Sequence, residues 1–283
     1  MKHTDRGRAA TRLATLTLAV LLPFAAQAQS ASDDWKFGAT IYGWFPAIGG
    51  STSFPSFGGG GGAGGGAGSN INVSSQQVID ALNFAFMGTF EGRKGQWGFW
   101  TDLVYADFGA TKSAFRDFNV GESGLPVAVS ADLGLDVKSW IWTAAGSYSL
   151  VAKPDYSSDL LAGARLLDMR QTLNWTFNGD IASLPLPGRT GTAEVSLNNW
   201  DAVVGVKGRA SFGADRRWYL PYYLDVGTGQ SKFTWQAIAG LGYEFNWGSV
   251  LATWRYLSYD LKSGSPIQSL YLSGPTIGVS FRW

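Results

Sequence analysis

The last residues of the chain alternate strictly between apolar and polar side chains. Every second position carries one of the apolar residues Ile277, Val279, Phe281 and Trp283. The positions between them carry Thr276, Gly278, Ser280 and Arg282. Successive side chains of a β-strand point to opposite faces, so this pattern predicts a strand with one apolar and one polar face. A chain built from such strands needs an apolar environment on one side only.

Residues 1–28 are predicted to be a secretory signal peptide. They begin with a basic segment, continue with an apolar stretch over 13–25 and end on Ala26-Gln27-Ala28, a small-x-small cleavage pattern. The alternative is a transmembrane helix, but the apolar stretch is short and Pro23 interrupts it. Removal of 28 of the 283 residues leaves a mature chain of 255 residues that is predicted to start near Gln29.

The mature chain is close to neutral. The totals of 22 basic and 21 acidic residues fall to 18 and 20 once Lys2, Asp5, Arg6, Arg8 and Arg12 leave with the signal, a net charge of −2. Such a chain lacks the basic surface that binds nucleic acid, and it lacks a basic patch for anionic lipid. We therefore predict no nucleic-acid partner.

Two residue types are absent from the mature chain. There is no cysteine, and the one histidine, His3, lies in the signal. Disulfides, thiolate chemistry, Ser–His hydrolysis and histidine metal sites are excluded on these grounds. No phosphate-binding loop or metal-ligand spacing is found either, so we predict no cofactor and no metal.

Ten alternating segments follow the signal, each about as long as a strand that crosses a tilted barrel wall. They lie near 35–45, 84–93, 97–108, 137–151, 159–171, 200–211, 218–227, 233–245, 249–260 and 271–283. Short and long connections alternate between them, as periplasmic turns and external loops do in outer-membrane barrels. Eight or twelve strands remain alternatives if a segment is wrongly split or merged.

The faces of the segments favour a membrane barrel. Over 84–93, Phe84, Phe86 and Phe90 oppose a polar set that includes Glu91 and Arg93. No mature segment has the roughly 18 continuous apolar residues of a membrane helix, so a membrane protein of this sequence must close a sheet. A soluble lipocalin-like barrel is the alternative, but it would place the aromatic face inside. We predict an all-β fold, a transmembrane antiparallel up-and-down β-barrel of about ten strands with aromatic residues facing lipid.

Three local features bear on the strand boundaries. The first long connection, 46–83, is predicted to be an external loop with a flexible Gly-rich tract over 58–68. Ser74 and Gln77 match a capping box, which predicts a helix of one or two turns at the barrel mouth. Pro221 within the seventh segment predicts either a bulge or a later strand start, because proline cannot donate to a ladder.

The inward positions carry charges of both signs. We predict a lumen ion-pair network formed by Glu91, Arg93, Asp102, Arg165, Asp201, Lys207, Arg209, Asp225, Glu244, Arg255 and Arg282. Buried charges persist when they are paired and hydrogen-bonded, so this set predicts a largely filled lumen. A polar pathway for water or small solutes is the alternative. Ten strands lie near the closed end of the range of barrel sizes, which disfavours a general porin.

Several segments support a family resemblance. A chain that ends on an aromatic resembles Gram-negative outer-membrane barrels, which implies that Phe281 and Trp283 are the assembly signal. The segments 78–105, 160–165, 203–209 and 273–278 resemble recurring segments of uncharacterised proteobacterial outer-membrane β-barrel proteins. The Gly-rich insertion departs from that pattern. The resemblance implies a location in the cell outer membrane and no particular activity.

These observations predict a structural or surface-binding role through external loops, with outer-membrane lipid, lipopolysaccharide and the barrel-assembly machinery as partners. A narrow channel for small solutes is the alternative. An outer-membrane enzyme is the third hypothesis, and with no catalytic residues assigned we predict that the chain is not an enzyme.

Overall fold

The chain forms a closed antiparallel β-barrel. The structure, a computed structural model, describes residues 34–52, 69–110, 130–178, 180–181, 184–185, 189–265 and 267–283. Its strands are β1 (Lys36–Trp44), β2 (Ala47–Thr52), β3 (Ser69–Val73), β4 (Leu82–Lys94), β5 (Trp97–Ala110), β6 (Ser130–Ala152), β7 (Tyr156–Asn178), β8 (Asp180–Ile181), β9 (Leu184–Pro185), β10 (Arg189–Phe212), β11 (Trp218–Gly229), β12 (Ser231–Glu244), β13 (Ser249–Leu261) and β14 (Ile267–Arg282). One helix, α1 (Ser75–Asp80), precedes β4.

Ten strands make the wall, in the order β1-β4-β5-β6-β7-β10-β11-β12-β13-β14, and pairing of β1 with β14 closes it. Phe37 and Trp283 exchange backbone hydrogen bonds of 2.8 and 3.0 Å at this seam, so the final residue is part of the closed wall. The predicted transmembrane barrel of about ten strands is confirmed. The first residue of β1, Lys36, and the last residue of β14, Arg282, lie on the same side of the barrel as the short connections. We call this side the short-turn end.

Strands β6, β7 and β10 are much longer than predicted, with 23, 23 and 24 residues. A membrane crossing needs about 9–11 residues, so these strands extend as a three-stranded sheet past the opposite end, the long-loop end. Segments 130–136, 172–178 and 189–199 were predicted to be loop, and that prediction was wrong. Their sequences continue the alternation, as Leu173, Trp175 and Phe177 do in β7, but the strands were expected to be only as long as a membrane crossing.

The first long connection also contains regular structure. Strand β2 continues the line of β1 after Phe45 and Pro46, pairs with β14, and is joined by β3. The predicted helix is confirmed as α1, whose N-cap Ser74 forms the capping box with Gln77. The predictions for the signal peptide and for the Gly-rich tract over 58–68 concern residues outside the described ranges.

The wall strands β11 and β14 contain Pro221 and Pro275, and neither proline causes a bulge. Pro221 lies in register with Arg209, and β11 begins at Trp218, so both predictions for Pro221 were wrong. On its other side the ladder to β12 has no pairs at Leu220 and Pro221 and resumes in the same register at Tyr222. Proline has no backbone N–H to donate, and the ladder to β12 has no pair at this position that would need one. Pro275 lies where the partner of β14 changes from β1 to β2.

Aromatic side chains cover the outer surface in two belts. At the short-turn end Phe37 stacks on Phe90 with ring centroids 5.9 Å apart, and Trp283 lies 6.2 Å from Phe37. Nearer the long-loop end Tyr105 and Trp140 lie 4.4 Å apart. Aromatic belts of this kind mark the two interfaces of a bilayer. Among the described residues, no helix combines the length and the apolar character needed to span a membrane.

Candidate functional site

The inward side chains divide the lumen into three layers. Along β5 they read Trp100, Asp102 and Val104 from the short-turn end upward, and β13 repeats the order with Thr253, Arg255 and Leu257. The register of each strand therefore places a mixed vestibule first, a charged layer next and an apolar layer beyond it. Alternation within a strand is what keeps these residues on the inner face.

The charged layer contains a buried guanidinium with four hydrogen bonds. Arg255 donates from Nη2 to Oδ2 of Asp102 at 2.6 Å and from Nη1 to the Tyr42 hydroxyl at 2.6 Å. It also donates to Oε1 of Gln236 at 2.8 and 3.1 Å, and its Cζ lies 4.5 Å from the Trp44 ring centroid. Arg255 and Asp102 are each 1% exposed. Four strands thus meet at one buried charge pair in the centre of the barrel.

A second buried ion pair lies beside the first. Arg165 binds Asp225, and it donates from Nε to the Thr143 hydroxyl at 3.1 Å. The Tyr223 hydroxyl donates to the same carboxylate oxygen of Asp225. Arg165 is completely buried, and its partner Asp225 is 2% exposed. Pairing and hydrogen bonding are the conditions under which charges persist away from water.

An apolar layer lies on the long-loop side of these pairs. Its buried members are Trp44, Met87, Val104, Ile141, Leu167, Leu257, Tyr259, Leu261, Ile267 and Leu270. We predicted that the apolar set faces lipid and the polar set faces the lumen, and this layer departs from that division. Apolar inward side chains pack against one another here, in the half of the barrel that the charged network does not fill.

The vestibule is a cavity of about 720 Å³ that extends from the short-turn end to the charged layer. Its floor contains Trp100, Tyr223 and Arg255, and Trp100 and Tyr223 lie 4.9 Å apart between ring centroids. A volume of this size is within the range of small-molecule sites, about 300–1,000 Å³. The vestibule is therefore large enough for a small organic solute.

Ion pairs line the vestibule walls. Arg93 binds Asp159, Lys207 binds Glu91, and Arg209 binds Glu244 at 2.9 Å. The first two pairs join strands that are not neighbours, so they connect opposite parts of the wall. Their side chains are partly exposed, between 5% and 40%, in contrast to the pairs of the charged layer.

The mouth of the vestibule carries more positive than negative charge. Lys36 and Arg93 are directly paired positions on β1 and β4, and Gly38 is paired with both Arg282 and Glu91. All four charged residues line the cavity. Glu91 and Asp159 are bound by Lys207 and Arg93. Within the described part of the chain, no carboxylate lies within 4.0 Å of the side-chain nitrogens of Lys36 or Arg282.

Two members of the predicted ion-pair network, Asp201 and Arg282, form no ion pair with a described residue. Asp201 is buried at 1% exposure, yet no described lysine or arginine lies within 4.0 Å of its carboxylate. It accepts instead from Asn199 Nδ2 at 2.7 Å and from the backbone N–H and hydroxyl of Ser231 at 2.8 and 2.7 Å. These neutral donors satisfy the carboxylate at the tight turn between β11 and β12. Arg282, also predicted to be paired, lines the mouth as described above.

The sequence analysis missed several polar residues of the lumen. Asp159 lies on the same face of β7 as Arg165, and Tyr223 lies on the same face of β11 as Asp225, because an even number of positions separates the two residues of each pair. Tyr42 and Gln236 lie on the inward faces of β1 and β12 and bind Arg255. Parity alone could have identified all of them. In the described ranges, no group of three or more histidine, cysteine, aspartate or glutamate side chains is placed to hold a metal ion.

Comparison with known proteins identifies the fold and no family. No family model matches the chain, and no curated protein matches it. Among solved structures, the outer membrane protease OmpT from Escherichia coli superposes with a TM-score of 0.50 at 10% identity, covering 91% of this chain and 99% of that one. The translocator domain of the autotransporter NalP from Neisseria meningitidis gives 0.28 at 13% identity, with 90% of each chain covered. A FadL homologue from Pseudomonas aeruginosa gives 0.24 at 9%, covering 89% and 90%.

The likeness to OmpT overturns the prediction that the chain is not an enzyme. That prediction was wrong, because a protease occurs on the fold with which this barrel superposes. The missing histidine excludes only the chemistry that requires an imidazole. At 10% identity the likeness concerns the fold alone, so no catalytic residue is carried over to this chain.

Proposed function

We propose that this protein is an integral outer-membrane barrel whose lumen is closed to passive diffusion, and that it has a structural or surface-binding role at its long-loop end. The single observation that carries the proposal is the presence of two buried, packed layers across the lumen. The buried Arg255–Asp102 and Arg165–Asp225 pairs fill the middle, and the apolar layer lies directly beyond them. Side chains are expected to fill barrels of about this size.

The location and orientation follow from the same fold. Residues 1–28 would direct export, and the short-turn end would face the periplasm, as short turns do in outer-membrane barrels. Phe281 and Trp283 would be read by the barrel-assembly machinery. Lipopolysaccharide of the outer leaflet would surround the aromatic belt near the long-loop end. The extended sheet of β6, β7 and β10 would then project outside the cell, where loops on a rigid scaffold commonly bind partners.

Planar-bilayer recording of the purified protein tests closure. The wild-type protein is expected to give no conductance steps. A variant that removes one ion pair and one apolar side chain from these layers, with Asp102→Gly, Arg255→Gly and Leu257→Gly, is expected to give steps while keeping the heat-modifiable gel mobility of a folded barrel. Steps from the wild-type protein would contradict closure.

A narrow channel for small solutes is the second candidate. The observation that favours it is the vestibule, which already leads from the short-turn end to the charged layer. A channel would require the charged and apolar layers to rearrange together. Steps that appear in the wild-type protein only above a threshold voltage or after addition of a solute would favour this candidate over a permanently closed barrel.

A further inference from the structure

We propose that the mouth of the vestibule is a binding site for a small organic anion, a carboxylate or a phosphate with a planar apolar body. The site would be formed by Lys36, Arg93 and Arg282, with the aromatic side chains deeper in the cavity contacting the apolar body. The proposal goes beyond the role at the long-loop end and does not depend on whether the lumen conducts.

The first argument is the arrangement of like charges. Lys36 and Arg93 lie directly opposite each other on the β1–β4 ladder, with both side chains on the inward face. Like charges in directly opposed positions destabilise a sheet. Arg282 adds a third cation from the strand on the other side of β1, where Gly38 contributes no side chain to separate it from the cavity. Asp159 already offsets the charge of Arg93, so an anion between the three strands would chiefly neutralise Lys36 and Arg282.

The second argument is the charge balance of the mouth. Its carboxylates are already engaged, Glu91 by Lys207 and Asp159 by Arg93. Lys36 and Arg282 keep their donors for a ligand, as no carboxylate among the described residues lies within 4.0 Å of them. Charge-assisted hydrogen bonds from lysine and arginine to carboxylate or phosphate oxygens are among the stronger polar contacts in proteins.

The third argument is the chemistry of the cavity behind the cations. Tyr219, Tyr223 and Trp100 line it, and Arg209 lies over the Tyr219 ring with Cζ 5.1 Å from the centroid. Aromatic walls with a few convergent polar groups are typical of small-molecule sites. Since Lys36, Arg93 and Arg282 face the cavity, a soluble anion from the short-turn side fits better than a lipid in the surrounding bilayer.

Calorimetric titration of the full-length barrel in nanodiscs of phosphatidylcholine tests the site. Benzoate is the anionic probe, and benzyl alcohol is its neutral counterpart. We expect benzoate to bind and benzyl alcohol to give no saturable heat. The double variant Lys36→Gln and Arg282→Gln is expected to weaken benzoate binding by about ten-fold or more, since a lost charge-assisted contact is of that order.

The matched control removes the same charge elsewhere. The double variant Lys138→Gln and Arg170→Gln alters two exposed cations near the long-loop end and is expected to bind benzoate as the wild type does. Equal loss in both variants, equal binding of benzyl alcohol, or no benzoate binding in the wild type would overturn the proposal. Heat-modifiable mobility of each variant verifies that the barrel is folded.

A lipid headgroup presents the same anionic chemistry, so a second titration separates the sources. Adding phosphatidylglycerol to the nanodiscs is expected to leave benzoate binding unchanged. Loss of binding in those nanodiscs would assign the cations to a lipid headgroup and overturn the assignment to a soluble solute.

Discussion

Arg255 and Asp102 meet across the lumen from β13 and β5, strands that are not neighbours in the barrel, with Nη2 and Oδ2 2.6 Å apart. Their side chains are 1% and 2% exposed, so water screens the pair little. Tyr42 and Gln236 bind the same guanidinium from two further strands. This pair therefore lies across the lumen and links separate parts of the wall.

Replacing Asp102 with alanine is expected to destabilise the barrel strongly. The change leaves the Arg255 guanidinium buried without its carboxylate, which costs about 3–5 kcal/mol in comparable cases. Urea unfolding in detergent micelles, followed by heat-modifiable gel mobility, measures the loss. Removing both charges, with Asp102→Leu and Arg255→Met, is expected to restore most of the stability because no unpaired charge remains.

Asp107→Ala is the matched control for this change. Asp107 lies on the same strand, and its carboxylate is 3.6 Å from the exposed Lys138 ammonium. Exposed pairs of this kind contribute about 0–1 kcal/mol. An equally large loss of stability for Asp107→Ala and Asp102→Ala would show that burial of the Arg255–Asp102 pair does not increase its contribution to the free energy of unfolding.

Strand parity made the wall and its inward charges predictable from sequence. Alternation placed Asp102, Arg165 and Arg255 on one face, and the terminal aromatic was consistent with a wall that ends at Trp283. What parity could not supply is the partner of each charge. Partners across a lumen come from strands such as β5 and β13, which have no contact along the ladder, and their relative height depends on strand tilt. Asp201 was misassigned for this reason.

The length of the strands was less predictable than their number. The outer halves of β6, β7 and β10 were not recognised although their sequences alternate too, with Leu173, Trp175 and Phe177 at every second position of β7. The expected length of a membrane crossing, about 9–11 residues, ended the predicted strands too early. The apolar layer was missed for another reason. Inward residues such as Val104 and Leu257 have the same character as lipid-facing ones, and composition does not reveal which side they occupy.

Replacing Asp201 with alanine is expected to loosen the turn between β11 and β12. The change leaves the Ser231 amide, the Ser231 hydroxyl and the Asn199 amide without their acceptor, at a cost of about 1–3 kcal/mol. Hydrogen exchange of the Ser231 amide is expected to become faster. Asp260→Ala is the control, because Asp260 lies near the same end, is exposed, and is 3.9 Å from Lys232. Unchanged exchange at Ser231 in the Asp201 variant would contradict the assignment.

Replacing Ser74 with alanine is expected to fray α1 and leave the barrel intact. The hydroxyl of Ser74 accepts from the Gln77 amide, and loss of such a cap costs about 0.5–2 kcal/mol of local helix stability. Hydrogen exchange of the amides from Gln77 to Ala81 reports the fraying, while the unfolding midpoint of the barrel is expected to stay constant. Ser75→Ala, one position inside the helix, should leave the exchange rates as they are. Equal fraying in both variants would show that the capping box does not hold α1.

Gly163 and Gly146 provide a final matched pair, because they lie on neighbouring strands in almost the same part of the β6–β7 ladder. A Cβ atom at Gly163 would lie 2.0 Å from the Ala144 carbonyl oxygen, so the backbone would have to shift. At Gly146 the nearest atom is the Ala162 carbonyl oxygen at 3.9 Å, an ordinary contact. We expect Gly163→Ala to lower stability by about 1–3 kcal/mol, as overpacking does, and Gly146→Ala to be tolerated. Urea unfolding of the two variants measures the difference. Equal stabilities would show that the close approach of β7 to β6 at Gly163 does not require glycine.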